Sequence, residues 1–247
     1  TFLAECGMGV FSWWRRLKPS NARRCVLCHD SAPASDGLCA GCAGDLASAF
    51  TDPAASCPLC FGFSAGAAVC GRCQKKPPRF ERLWASVYYE PPVSSMIHQF
   101  KHLADLSMLP PLAGLMMRHA PDWLHGEQID FVLAMPLSRE RRIFRGFNQS
   151  DELVSQLAAH YGWQVLPRGT VSRVHGAPQS TLKGSERLRN VKNAFSVEND
   201  VFKKRNILLI DDVVTTGSTF GELAQTLKKS GAEKVFCWSL ARAQMKK

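Results

Sequence analysis

Ile207-Leu-Leu-Ile-Asp-Asp-Val-Val-Thr-Thr-Gly-Ser-Thr219 is the stretch that decides the fold. Four branched apolar residues in an unbroken run describe a strand buried on both faces, as in a parallel sheet covered by helices. The run meets two adjacent carboxylates, Asp211 and Asp212, and then Val213, Val214, Thr215, Thr216, Gly217, Ser218 and Thr219. In a parallel α/β sheet, ligands gather beyond the carboxyl ends of the strands. The loop enters a helical pattern over 218–230, so its N–H groups and hydroxyls can surround a phosphate at a helix N-terminus. Gly217 allows close backbone approach. One end of such a site prefers an anion and the other carries two acids. A phosphorylated sugar meets both demands, with its phosphate in the loop and its hydroxyls on Asp211 and Asp212. The plainer alternative is an ordinary strand–turn–helix with solvated acids.

Working outward, strands and helices alternate from about residue 80. Residues 83–89, 129–135 and 234–240 read as strands, and 163–166 with 170–174 as a further one. Helices are expected over 93–102, with apolar positions Val93, Met96, Ile97 and Phe100, over 106–119, and over 150–161 with Asn148 or Ser150 as N-cap. Gly231 is placed to end the 218–230 helix. Residues 175–195 are polar and basic without a period. The expected architecture is an α/β parallel sheet over 80–247. A small cysteine-rich domain over 23–75 and an extension over 1–22 precede it. Lys75-Lys-Pro-Pro-Arg79 links the two domains.

Eight of the ten cysteines form four C-x-x-C pairs: Cys25/Cys28, Cys39/Cys42, Cys57/Cys60 and Cys70/Cys73. Two intervening residues let both thiolates face one tetrahedral ion, and four such pairs within about fifty residues point to two structural zinc ions. The sequential grouping is Cys25, Cys28, Cys39, Cys42 and then Cys57, Cys60, Cys70, Cys73, each gap suiting a small hairpin. A crossed grouping, His29 as a substitute ligand, and a disulfide framework are the alternatives. No secretion signal accompanies the cysteines, which disfavours the last. Cys237 reads as a buried strand thiol.

The net charge is +10 with a pI near 9.3, which favours anionic partners. The cations cluster: Arg139, Arg141, Arg142 and Arg145; then Arg173, Lys183, Arg187, Arg189 and Lys192; then Lys203, Lys204 and Arg205. No apolar run of about 18 residues exists to span a bilayer, and a cytoplasmic location is expected. Trp13 and Trp14 stand among basic residues, a composition that suits a docked helix, a tail, a membrane interface or single-stranded nucleic acid. His98 and His102 share a helical face and could be taken for a metal pair, but without a nearby third ligand they read as ordinary surface or packing residues.

The acid pair followed by T-T-G-x-T resembles the motif with which type I phosphoribosyltransferases bind 5-phosphoribosyl-1-diphosphate (PRPP). Pro136-Leu-Ser-Arg139, then Arg142-Ile-Phe-Arg-Gly-Phe-Asn-Gln149, with Gln179, Leu182, Arg187, Arg189 and Asn190 further on, is similar to the ComF/GntX family. That family also joins cysteine knuckles to this fold. The resemblance implies that Asp211 and Asp212 contact the ribose hydroxyls, that Val213 to Thr219 hold the 5′-phosphate, and that Pro136, Leu137, Ser138 and Arg139 form the pyrophosphate loop. It implies that Arg142, Arg145, Arg173, Gln179 and Arg187 serve the polyanion, partly on a mobile loop, and that Mg²⁺ accompanies PRPP. It implies a role in DNA uptake or utilisation, with single-stranded DNA, a DNA-uptake helicase or a membrane-associated competence protein as partners. Transferase activity and a non-catalytic DNA-binding or scaffold role both fit, and no nucleobase pocket or general base is marked.

Overall fold

The computed structural model describes residues 24–30, 36–173, 194–197 and 200–243. The expectations for Trp13 and Trp14, and for Gln179 and Arg187, fall outside these residues.

The central sheet has four strands, β1 (Leu83–Tyr88), β2 (Phe131–Ala134), β5 (Asn206–Val214) and β6 (Lys234–Arg242), in the order β1-β6-β5-β2. Every neighbouring pair is parallel. Ile207, Leu208, Leu209 and Ile210 are fully buried, as a strand covered on both faces requires. β5 does not stop at the apolar run. It continues through both acids to Val214, because β6 pairs with it from Asn206 opposite Lys234 to Val214 opposite Arg242.

Helices α3 (Val93–His102), α4 (Leu109–Arg118), α6 (Gln149–Tyr161) and α7 (Ser218–Lys229) cover the sheet. Val93, Met96, Ile97 and Phe100 are buried along one face of α3, as their spacing predicts. A 3-10 turn at Leu106–Met108 precedes α4, because Asp105 Oδ1 accepts from Ser107 N at 3.0 Å. Pro110 and Pro111 fall in the first turn of α4, where no N–H is needed. Asn148, not Ser150, caps α6, its Oδ1 accepting from Ser150 N at 3.3 Å. Gly162 (φ 71°) ends that helix and Gly231 (φ 95°) follows α7.

Three local expectations change. Arg139–Arg145 is a helix, α5, although its charged run has no apolar period. Ser138 caps it by accepting from Arg141 N, and Gly146 closes it in the left-handed conformation. The single strand expected over 163–174 splits. Val165 makes an isolated parallel bridge to Val132, while β3 (Val171–Arg173) pairs antiparallel with β4 (Phe195–Val197) in a separate ribbon. Pro167 and left-handed Gly169 (φ 92°) interrupt the run. In the cysteine segment, where no strand–helix pattern was read, short helices α1 (Ala40–Ala47) and α2 (Gly71–Lys75) start directly after Cys39 and Cys70.

Leu38, Leu46 and Phe61 of the cysteine segment share one apolar core with Phe100, Phe202, Phe220 and Phe236. Trp238 at the centre of β6 is fully buried, and its Nε1 donates to Ser86 Oγ on β1 at 2.9 Å. Trp238→Ala should lower unfolding free energy by about 3–5 kcal/mol, from lost burial and the cavity left behind. Urea denaturation followed by circular dichroism measures it.

Candidate functional site

The two acids of β5 have different surroundings. Asp211 Oδ1 accepts from Ser150 Oγ at 2.9 Å, at the start of α6, and from Asp212 N at 2.9 Å. Asp212 is buried, with Oδ1 accepting from Val213 N at 2.8 Å and Oδ2 ion-paired to Lys101 Nζ of α3 at 2.7 Å. Burial pushes the Asp211 carboxyl up to about 7 and the charge of Asp212 adds to the rise. Lys101 and the Ser150 hydroxyl oppose it. Beyond the acids, Gly217 takes φ 77° at the N-cap of α7. As a glycine, this N-cap residue offers the first turn of α7 no side-chain acceptor of its own. Thr216 Oγ1 donates to Ser218 Oγ at 2.9 Å and accepts from Ser218 N at 3.3 Å, which shapes the loop.

Asp211 and this loop open into a cleft of about 1280 Å³. The structure brings to it Asp211, the whole loop from Val213 to Thr219, Leu137, Arg145 and Arg173. It does not bring Asp212, Pro136, Ser138, Arg139 or Arg142 to the lining. Ser138 is occupied as the cap of α5, and Arg142 faces Asp151 at 3.8 Å. The Pro136 carbonyl accepts from Arg173 Nη1 at 3.3 Å, and the Arg173 guanidinium lies 5.3 Å from the centre of the Phe195 ring.

Arg141 and Lys101 line the cleft and Ser150 holds Asp211; all three escaped sequence reasoning. For Arg141 a signal existed. Positions 141 and 145 are four apart and share a helical face, whereas 142 looks elsewhere. Using that signal required knowing that 139–145 is helical.

The eight knuckle cysteines gather into two quartets, Cys25, Cys28, Cys39, Cys42 and Cys57, Cys60, Cys70, Cys73, with the sulfur atoms of each within 4.8 Å of one another. The grouping is sequential, not crossed, and His29 is in neither quartet. Cys28 to Cys39 and Cys60 to Cys70 are 3.7 Å apart, Sγ to Sγ. A disulfide is about 2.05 Å long, and a tetrahedron of thiolates about 2.3 Å from zinc has edges of about 3.8 Å. The donor set therefore fits a four-coordinate metal and not a disulfide. Burial raises the Cys25 thiol, but N–H donors of Cys28, Cys39 and Leu27 outweigh it and bring it down to about 6. At Cys57 burial is likewise overcome, by the N–H groups of Cys70, Cys60 and Leu59, to about 7. Each quartet thus has one readily ionised sulfur to start metal binding. Cys237 lies buried in β6, and burial raises its thiol.

No family model matches the chain. DNA utilization protein YhgH of Salmonella typhi is 37% identical over 225 residues, covering 88% of this chain and 96% of that protein. Competence protein F of Haemophilus influenzae is 34% identical over 233 residues, covering 89% and 97%. The chain belongs to the ComF family. Among solved structures, the glutamine PRPP amidotransferase of B. subtilis aligns with 52% of this chain and 25% of its own, at 14% identity and a TM-score of 0.35, a likeness too slight to build on. Among the described residues of this ComF protein, no helix is long and apolar enough to cross a membrane.

The raised Asp211 carboxyl sets a pH dependence for this ComF protein. The folded chain keeps a proton that the unfolded chain has released, so this group's contribution is full below about 3.8 and is lost as pH rises through about 7. Asp211→Asn should flatten the fall in melting temperature across that window, as a thermal shift series against pH will register.

Proposed function

We propose that the cleft binds PRPP together with Mg²⁺, and that this serves DNA uptake or utilisation; the relatives' names, which print competence and DNA utilization, support the second part. One observation carries the reading. A carboxylate at the end of β5 and a helix N-terminus in a Thr-rich loop open into the same cleft, with Arg141, Arg145 and Arg173 lining it. A ligand that spans them carries a phosphate at one end, a diol in the middle and a further anion beyond. The loop N–H groups and hydroxyls hold the 5′-phosphate. Asp211, oriented by Ser150, accepts from a ribose hydroxyl, and Asp212, held by Lys101, supports the turn of the backbone through Val213. The three arginines hold the diphosphate, and displacement at C1 is the reaction class this arrangement supports.

Magnesium, when bound, neutralises diphosphate charge. Among the described residues the carboxylates lining the cleft are Asp211 and Glu222. The residues therefore fit a magnesium that takes most of its oxygens from the diphosphate and water. Each cysteine quartet holds one zinc in a closed shell, and the division of labour is a metal-bearing segment over 23–75 against a phosphosugar domain over 80–247. Single-stranded DNA, a DNA-uptake helicase and a membrane-associated competence protein are the partners implied by the family resemblance.

Calorimetric titration of PRPP with Mg²⁺ tests the reading. Saturable binding that Asp211→Asn weakens by about tenfold or more is the expected result; equal binding by both proteins, or none, sinks it. Elemental analysis should find two zinc ions per chain, and one in Cys60→Ser. Release of both by a chelator should lower the melting temperature.

A further inference from the structure

The cleft is larger than a phosphosugar needs. Small-molecule pockets run to about 1000 Å³ at the upper end, and this one is about 1280 Å³. Glu222, Gln225, Thr226 and Lys229 line it at successive positions of a single face of α7. From the loop at Ser218 to Lys229 the helix rises about 16 Å. The second cysteine knuckle and the linker line the same cleft: Cys60, Arg72, Cys73, Lys76, Pro77, Pro78 and Arg79.

The charge of this end is decided by what neutralises what. A divalent metal on four thiolates leaves the quartet negative by two. Arg72 faces the Cys60 thiolate, and Arg242 donates from Nη1 to the Cys60 carbonyl at 3.2 Å, so two guanidinium groups stand against that charge. Lys76, Arg79 and Lys229 are exposed, and among the described residues none of them has a carboxylate partner. Glu222 is the carboxylate on this wall, and it sits at the loop end of the α7 face, about 10 Å below Lys229. Three cations that line one cleft from two segments, the linker and α7, are thus left for an outside anion. This contrasts with the far end, where Lys101 already pairs with Asp212.

We propose that the knuckle end of the cleft is a second anion subsite, separate from the phosphate loop, in which Lys76, Arg79 and Lys229 take a phosphate ester group of the protein's second ligand. The subsite rests on the phosphosugar reading only for the word second; its own anion binding stands without PRPP. The prolines at 77 and 78 stiffen the wall that carries Lys76 and Arg79, so those two charges are held in place before a ligand arrives. Cys60 and Cys73 of the second quartet line the same cleft, which gives that quartet a place there that the first does not share.

The test uses the full, zinc-loaded chain and the triple variant Lys76→Ser/Arg79→Ser/Lys229→Ser, whose exposed positions leave the core untouched. Two probes, phenyl phosphate and a short oligothymidylate, are titrated into each protein with and without saturating PRPP and Mg²⁺. The expected result is probe binding that persists when PRPP is saturating. The triple variant should weaken it by about tenfold and lower its salt slope by about 2–3, with PRPP affinity unchanged within about twofold. Binding of both probes identifies a simple phosphate ester as sufficient, whereas binding of the oligothymidylate alone identifies a phosphodiester chain. Competition between PRPP and both probes, unchanged probe affinity in the triple variant, or no saturable probe binding overturns the subsite. Loss of PRPP binding in the wild type, with probe binding intact and sensitive to the variant, overturns the phosphosugar reading alone.

Discussion

The parallel pairing of β5 with β6 beyond the last core residue is the constraint on which the site depends. An apolar strand has no reason of its own to continue through two carboxylates into open solvent. Here β6 runs beside β5 as far as Arg242 opposite Val214, and Ala243 N donates to the Val214 carbonyl at 2.9 Å. The backbone on both sides of the acids is therefore fixed before any side chain is considered. Successive residues of a strand point to opposite faces. Asp211 accordingly lines the cleft while Asp212 does not. The loop that follows leaves the sheet at a defined point, and Gly217 can turn it into α7 because glycine bears a positive φ without strain.

The same end of β6 ties the second metal knuckle to the sheet. Arg242 reaches the Cys60 carbonyl, and Gly62 leaves room for it: a Cβ there would come within 3.2 Å of its guanidinium. The Leu59 carbonyl accepts from Leu83 N at the start of β1, at 2.9 Å. The knuckle is thus held through its own carbonyls by the Leu83 N–H of β1 and the Arg242 side chain of β6. The first quartet is anchored otherwise, through Leu38 and Leu46 in the shared core and through the Arg118–Asp36 ion pair. A metal bound to each quartet would add to these core contacts, since a short cysteine-rich segment has little apolar surface to bury.

Charge at the site is likewise arranged by distant parts of the chain. Lys101 from α3, Ser150 from α6 and Arg173 from β3 converge near the β5 acids. An unpaired pair of buried carboxylates would be costly. The fold answers by giving one acid an ammonium partner and by letting the other hold its proton up to about pH 7.

Local chemistry was enough to read much of this from the chain. Unbroken apolar runs located β2, β5 and β6, the 3-4 spacing of Val93, Met96, Ile97 and Phe100 located α3, and the C-x-x-C spacing marked the eight knuckle cysteines, whose sequential grouping the structure decided. Each of these signals lies within a few residues of what it specifies, as does the acid-and-threonine loop. The tertiary structure alone decided the rest. It made 139–145 a helix by caps rather than by an apolar period, and so turned Arg141 and Arg145, not Arg142, toward the cleft. It split the 163–174 strand between two partners, Val132 and β4. It also brought Lys101 to Asp212 and set the second knuckle in one cleft with α7. These are contacts between residues far apart in sequence, where no local period or spacing records which partner the fold will supply.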